Sequence, residues 1–472
     1  MERRNTRKFT FKKLDLMNLR DLAVKVASPE DFHDRHGRLL GILWTNVEKG
    51  CLETLVQFYD PAYHCFTFPD YQLAPTLEEY SYLVGLPVLD EVPFTGLEPI
   101  PKAAIIADAL HLETSLIKTK LTIKGNLPSL PAKFLYQQAS DFAEVNNVNA
   151  FYSILALLIY GLVLFPNVDN YVDIHAIQIF LTKNPVPTLL ADMYHSIHDR
   201  NQVGRGAILG CAPLLYKWFT SHLPQTHSFQ ANPRNLSWSK RIMSLTPSDI
   251  AWYHATHNFR NIIVSCGEYS NVPLLGMQGG ISYNPILAKR QFGCPMETKP
   301  DSIYLEGEFY FKDPTNKRGK FVQAWRAIRR LSRSQLAKRS DFSQGSHTQW
   351  VINRASSLVL PYHLPRYLSS TTPYPSLPMT SKTKEEAQYL LIEMTREKDI
   401  WRMRYMEAEN KIGTLKGQVE QKDHELSKMR QQMIERDDLL QEKDRLLGKH
   451  ITKKQRMDFM DLFDDAHSDF EE

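Results

Sequence analysis

Long apolar runs are missing from this chain. The longest, residues 154–165, falls short of the roughly 20 apolar residues that a bilayer-spanning helix needs, so it reads as a buried core helix and no membrane partner is expected. Cysteine is sparse. Cys51, Cys65, Cys211, Cys266 and Cys294 are odd in number, widely spaced and include no C-x-x-C pair, which argues against a disulfide framework or a zinc ribbon and for buried free thiols. A charge excess is missing too: a net +4 over 472 residues predicts no global electrostatic partner. The basic N-terminus MERRNTRKFTFKK has no apolar stretch behind it, so a secretory signal is not expected. Phosphate-binding loops are absent as well. Gly204, Gly206 and Gly210 do not complete G-x-x-x-x-G-K-[ST], and Gly276-Met-Gln-Gly-Gly280 lacks the strand-to-helix setting and downstream acid of a dinucleotide site. Turns and close packing account for both.

What remains is a hydrophobic content of 43% with 11% aromatics, which suits folded domains with ample length for a core. Residues 148–165 (VNAFYSILALLIYGLVLF) are its most apolar piece. Asn146 and Asn147 can cap a helix there and Pro166 closes it. A helix apolar on every side must be surrounded by other elements. Helical spacing recurs over residues 38–57, and residues 64–68 between Pro61 and Pro69 suit a short strand. Thr76-Leu-Glu-Glu79 is a capping box opening a helix that ends at Gly85. Further helices are expected over residues 171–181, 189–197 and 207–223, the last with Pro213 in its first turn or at a kink and with Trp218 and Phe219 facing the core. Another is expected to start at Pro247 after Thr246, and residues 262–266 read as a strand before a glycine-rich turn. The fold class expected is mainly α, a helical globular domain with minor short β-strands.

Phe66-x-Phe68, Pro75-Thr-Leu-Glu-Glu79 and Leu83-x-Gly85-Leu-Pro87 together resemble the opening signature of the plant mobile domain, also labelled aminotransferase-like, which occurs in plant genes and plant transposable elements. Four later stretches resemble a related plant family of unknown function. They are Gly161-Leu-Val-Leu-Phe-Pro166, residues 204–218 with Leu214-Leu-Tyr-x-Trp218, Arg290-Gln-Phe-Gly-Cys-Pro-Met296, and Leu305-Glu-Gly-Glu308 leading to Gly319-x-Phe321-x-x-Ala324-Trp325. The resemblance spans residues 32–362 and the C-terminal helical pattern. It implies a mainly helical domain of transposon origin and supplies no catalytic residues. The aminotransferase label implies no cofactor here, because no lysine stands in a setting that argues for a Schiff base.

Composition divides the chain into a basic N-terminal arm (1–30), the helical domain (31–368), a Ser/Thr/Pro linker (369–382), a coiled coil (383–450) and an acidic, disordered tail (451–472). No proline follows Pro378. Ile412, Val419, Leu426, Met433, Leu440 and Leu447 repeat at seven-residue spacing and mark a seam, so the first partner expected is a second copy. Lys422, Arg436 and Lys443 fall at the companion seam positions. The tail carries seven acids and no Lys or Arg from Asp458 onward, with Phe459, Leu462, Phe463 and Phe470 interspersed, a pattern that can dock other proteins.

Chemistry-bearing patterns are few. His33/His36, His195/His198 and His254/His257 stand at i, i+3, which puts both rings on one helical face, but none has a third ligand at the usual spacing. Cys65 beside His64, and Cys211, carry no nucleophile signature. A divergent enzyme using a His-pair metal or a Cys/His pair is therefore the alternative reading, with no catalytic residue, metal or cofactor assigned. The strongest feature is residues 317–339, with nine Lys/Arg and no acid. As one helix it would put Phe321, Trp325, Ile328 and Leu331 on the core side. Lys317, Arg318, Lys320, Arg326, Arg329, Arg330 and Arg333 would then be offered to the phosphates of DNA or RNA. The sequence reading is a non-enzymatic interaction module, nuclear in preference to cytoplasmic, that self-associates and contacts nucleic acid.

Overall fold

The computed structural model describes residues 6–362, with breaks at 49, 255–258, 260, 306–308, 311–314, 333, 337–342, 359 and 361, and helical residues between 421 and 458. Two compact units divide at Thr371. In the first, the central helix Val148–Ile159 forms as its sequence dictates. Asn147 accepts from the Ala150 N–H at 3.3 Å, and from Ile154 to Ile159 every side chain is buried. A π-turn over Tyr160–Leu164 carries the chain to Phe165, and Pro166 prevents continuation. Gly161 in that turn is a close-approach site, since a β-carbon there would stand 2.6 Å from both methyls of Val172 on the neighbouring strand.

Helices Met17–Val24, Leu39–Leu43, Ala103–Leu110, Ala132–Glu144 and Ile174–Thr182 enclose the central one. A second buried helix, Val186–Val203, packs against strands Val272–Leu275 and Gly280–Tyr283 and against the helix Leu77–Val84. Helix Ala212–Ser221 lies on Leu77–Val84, with Pro213 in its first turn and Trp218 and Phe219 fully buried. Among the described residues, five sheets of two or three short strands join these helices; the strand Lys8–Phe11 runs parallel to Arg205–Ile208. The domain is mainly α with minor β.

Several boundaries differ from the sequence expectation. Residues 8–24, expected as part of a basic N-terminal arm, hold a strand and a helix that place Phe9, Leu19 and Leu22 in the core. Tyr171–Asp173 is a strand, and the helix begins only at Ile174 because Asp173 caps it by accepting from the Ala176 N–H at 2.9 Å. Residues 205–208 pair with the N-terminal strand, so the next helix starts at Ala212. No helix follows Thr246: its N–H and hydroxyl both donate to Asp249 Oδ2, at 2.8 and 2.7 Å, which closes a single turn. The basic stretch is divided. Helix Thr315–Trp325 stops, and Ile328–Ser332 becomes a strand paired antiparallel with Asn261–Cys266. Ladder pairing with the β-branched run Ile262-Ile-Val264 overrides the helical spacing of Ile328 and Leu331.

In the second unit the described residues between 421 and 458 are helical and exposed, Leu426, Met433, Leu440 and Leu447 among them. Ile412 and Val419 lie outside the described residues.

Candidate functional site

The helix Leu77–Val84 supplies the most densely connected polar group. Thr76 accepts from the Glu79 N–H at 3.1 Å, as a capping box requires. The expected return bond does not form, because the Glu79 carboxylate turns into the core. There it accepts from Thr76 Oγ1 (2.9 Å), Trp218 Nε1 (2.9 Å), His222 Nε2 (3.0 Å) and Gln291 Nε2 (3.0 and 3.1 Å). His222 reaches the Ala251 carbonyl through Nδ1 at 2.9 Å, and Gln291 brackets the Ala74 peptide at both ends, each at 2.9 Å. Side chains of both Glu79 and His222 are only 2% exposed. Burial pushes the Glu79 carboxyl up, but the His222 bond and charge, with Gln291 and Thr76, outweigh it and hold the group below its ordinary value. Buried to this degree, the carboxylate–imidazole pair ties together the segments that carry Thr76, Trp218, His222 and Gln291. Its neighbour Glu78 behaves oppositely: Oε1 accepts from the Ile263 N–H at 2.7 Å, Oε2 is sealed without a partner, and burial pushes the carboxyl up to about 7.

A second buried cluster lies on Val186–Val203. Asp192 Oδ1 accepts from the Met277 N–H at 2.7 Å, and burial pushes its carboxyl up to about 7. Gly276 and Gly279 let the hairpin turn lie flat on this helix, since a β-carbon at either would strike Asp192 or His195. His198 meets His64 edge-on at 5.1 Å between ring centroids and bonds to Gln202 at 2.8 Å. Burial lowers the pKa values of His64, His195 and His198, the last to about 4. The i, i+3 pair His195/His198 thus lies inside the fold, with His64 against His198. The pair His33/His36 is split: His33 is exposed, whereas His36 packs on Phe32 at 5.2 Å and burial lowers it to about 4. His257 lies outside the described residues. Among the described residues no group of three or more His, Cys, Asp or Glu could hold a metal ion.

All five cysteines are buried, and none is joined in a disulfide. Burial pushes Cys65 up and Cys211 up to about 12, the opposite of thiolate activation. A third tie is Asp60, fully buried, which receives Arg354 Nε at 2.7 Å on one oxygen and Nη2 at 2.6 Å on the other.

The basic segment divides by environment. Lys320, on helix Thr315–Trp325, is exposed at a cavity of about 510 Å³ also lined by Glu268, Tyr269, Gln323 and Ala324. Phe321 and Trp325 are buried as expected, and Trp325 Nε1 donates to the Pro273 carbonyl at 2.8 Å. Arg326 and Arg329 are exposed. Arg330 is held by Asp90, with Nη2 at 2.6 Å and Nε at 3.2 Å from Oδ1. The side chains of Lys317 and Arg318, and all of Arg333, lie outside the described residues. A separate cavity of about 420 Å³ has Tyr82, Tyr216, Phe229 and Trp238 on its walls and Lys217 and Glu48 at its lining. Beside it Arg241 stands 3.9 Å from the Trp238 ring and 4.5 Å from that of Phe229.

Residues 17–356, which carry every cluster of the globular unit described above, match the family described as a domain of unknown function, DUF7745. The chain belongs to that family. Neither the curated proteins nor the solved structures contain a match to it. The DUF7745 match ends before the described helical residues that lie between 421 and 458. No helix among the described residues is long and apolar enough to cross a membrane.

Sequence reasoning singled out Thr76 and Glu79, but for a local role; the capping-box spacing carried no sign of Trp218, His222 and Gln291. The Asp60–Arg354 and Asp192–turn ties left no local signal, since their partners are far apart in the chain.

Proposed function

We propose that this DUF7745 protein is a non-enzymatic interaction module, related to the plant mobile domain and of transposable-element origin, that gathers copies through its C-terminal helix. The observation that carries this reading is the exposed row Leu426, Met433, Leu440 and Leu447 at seven-residue spacing in helical surroundings. Large apolar side chains left 48–65% exposed on one stripe gain free energy by burial against another helix. The buried ties around Glu79, Asp192 and Asp60 support it from the other side: their polar groups are spent inside the fold.

Nucleic acid is the second partner of this reading, contacted through Lys317, Arg318, Lys320, Arg326, Arg329, Arg330 and Arg333. Exposed Lys320, Arg326 and Arg329 support it, since cations free in water release counterions from phosphates on binding. Arg330, engaged with Asp90, contributes less. The acidic segment 451–472 serves other proteins, and the nucleus is the compartment in which these partners meet. Sedimentation of the full chain against a version ending at Ser381 tests the assembly: the full chain runs as an oligomer and the shortened one as a monomer. Fluorescence anisotropy with mixed-sequence DNA and RNA tests the second part. Micromolar binding at low salt disappears when Lys320, Arg326 and Arg329 become Glu; a parent chain that binds neither polymer refutes it.

A further inference from the structure

The C-terminal helix carries more than an apolar row. With Leu426, Met433, Leu440 and Leu447 at position a of the seven-residue repeat, position d holds Lys422, Met429, Arg436 and Lys443, and each of the three cations is followed at e by an aspartate: Asp423, Asp437 and Asp444. Residues one apart do not face each other on a helix, so these pairs cannot close within one chain. One of the three cations, Lys422, is nonetheless satisfied within the chain, by Glu425, as Arg445 is by Glu442, each at 3.0 Å. Arg436 is different. Its neighbours at three and four residues are Gln432, Met433, Leu439 and Leu440, and those of Asp437 are Met433, Ile434, Leu440 and Gln441, all uncharged. Lys443 is likewise ringed by Leu439, Leu440, Leu446 and Leu447. Among the described residues neither Arg436 nor Asp437 has an ion pair.

We infer that two copies of this helix pair parallel and in register, so that the d cation of each lies beside the e aspartate of the other. The inference rests on the self-association reading above and adds direction and register to it. In such a pair the a layers are wholly apolar, the long Lys and Arg stems cover the seam while their heads reach the flanking carboxylates, and Glu425 at g meets Arg430 at e of the second copy. Turned antiparallel, the cations of position d would instead face the apolar a row of the second copy and leave their aspartates behind.

The test uses the full chain. Leu447→Cys, mildly oxidised, gives a disulfide-linked dimer that the parent, whose cysteines are buried, does not give. Arg436→Glu and Asp437→Arg each weaken the dimer at least tenfold in sedimentation equilibrium, and the double variant returns to within threefold of the parent. A parent that stays monomeric at every concentration removes self-association itself. A dimer that neither cross-links at Leu447 nor recovers in the double variant leaves self-association standing and overturns the parallel register.

Discussion

Replacing Glu79 by Ala removes one carboxylate and strands several donors. Trp218 Nε1 and Gln291 Nε2 lie in the buried interior with fixed hydrogens, and His222 loses its partner at 3.0 Å. An orphaned buried donor costs about 1–3 kcal/mol. The stranded donors share one site and relax together, so their costs do not add in full and the expected loss is about 4 kcal/mol. That is a large part of the roughly 5–15 kcal/mol by which domains are stable. With a urea slope of about 3 kcal/mol per molar, the midpoint falls by roughly 1.3 M while the slope is kept. The pH dependence adds a second readout. The Glu79 carboxyl is held below its ordinary value in the fold, so its contribution is present above about pH 4.3 and lost as pH falls through the folded value. The gap between parent and variant therefore persists from pH 8 to pH 5 and narrows only in stronger acid. Loss of less than about 1 kcal/mol at pH 7 would refute the claim that this group holds the segments together.

The neighbouring substitution Glu78→Gln has the opposite sign. Burial raises this carboxyl to about 7, so its charge is a cost above that pH, and the variant raises the urea midpoint at pH 8 with a gain that fades towards pH 5. His198→Gln flattens the acid limb of stability: a histidine lowered to about 4 stabilises the fold fully above pH 6.5 and loses that contribution as pH drops towards 4, which circular dichroism across this range follows. Gly279→Ala drives a methyl into the His195 ring and lowers the thermal midpoint, with a cost of about 1–3 kcal/mol. Arg354→Lys loses the two-pronged grip on buried Asp60 and destabilises the domain measurably in urea, since a lysine cannot reach both oxygens in the same geometry.

Features with a local cause were legible in the sequence. The central helix follows from an apolar run between Asn147 and Pro166, and Trp218 and Phe219 enter the core because the helix that carries them is amphipathic. Where a distant strand intervenes, local pattern misleads. Ile328 and Leu331 sit at helical spacing from Phe321 and Trp325, yet the ladder with Asn261–Cys266 claims them and leaves Arg329 and Arg330 in different surroundings. The same holds for Tyr171–Asp173, whose strand partner is Pro131–Ser129, about forty residues upstream. The Glu79 cluster was half legible: its capping geometry is local, while its four core bonds depend on residues up to 212 positions away.

That separation bears on how the molecule is made. A ribosome extends the chain by about 5–20 residues each second, so between the appearance of Glu79 and that of Gln291 a nascent protein waits on the order of ten seconds or more. For that interval the carboxylate is without its last donor, and the helix Leu77–Val84 has no finished bed to lie in. Completion of the domain is therefore a late event in synthesis, and a chain released before Gln291 emerges carries its most connected residue unsatisfied.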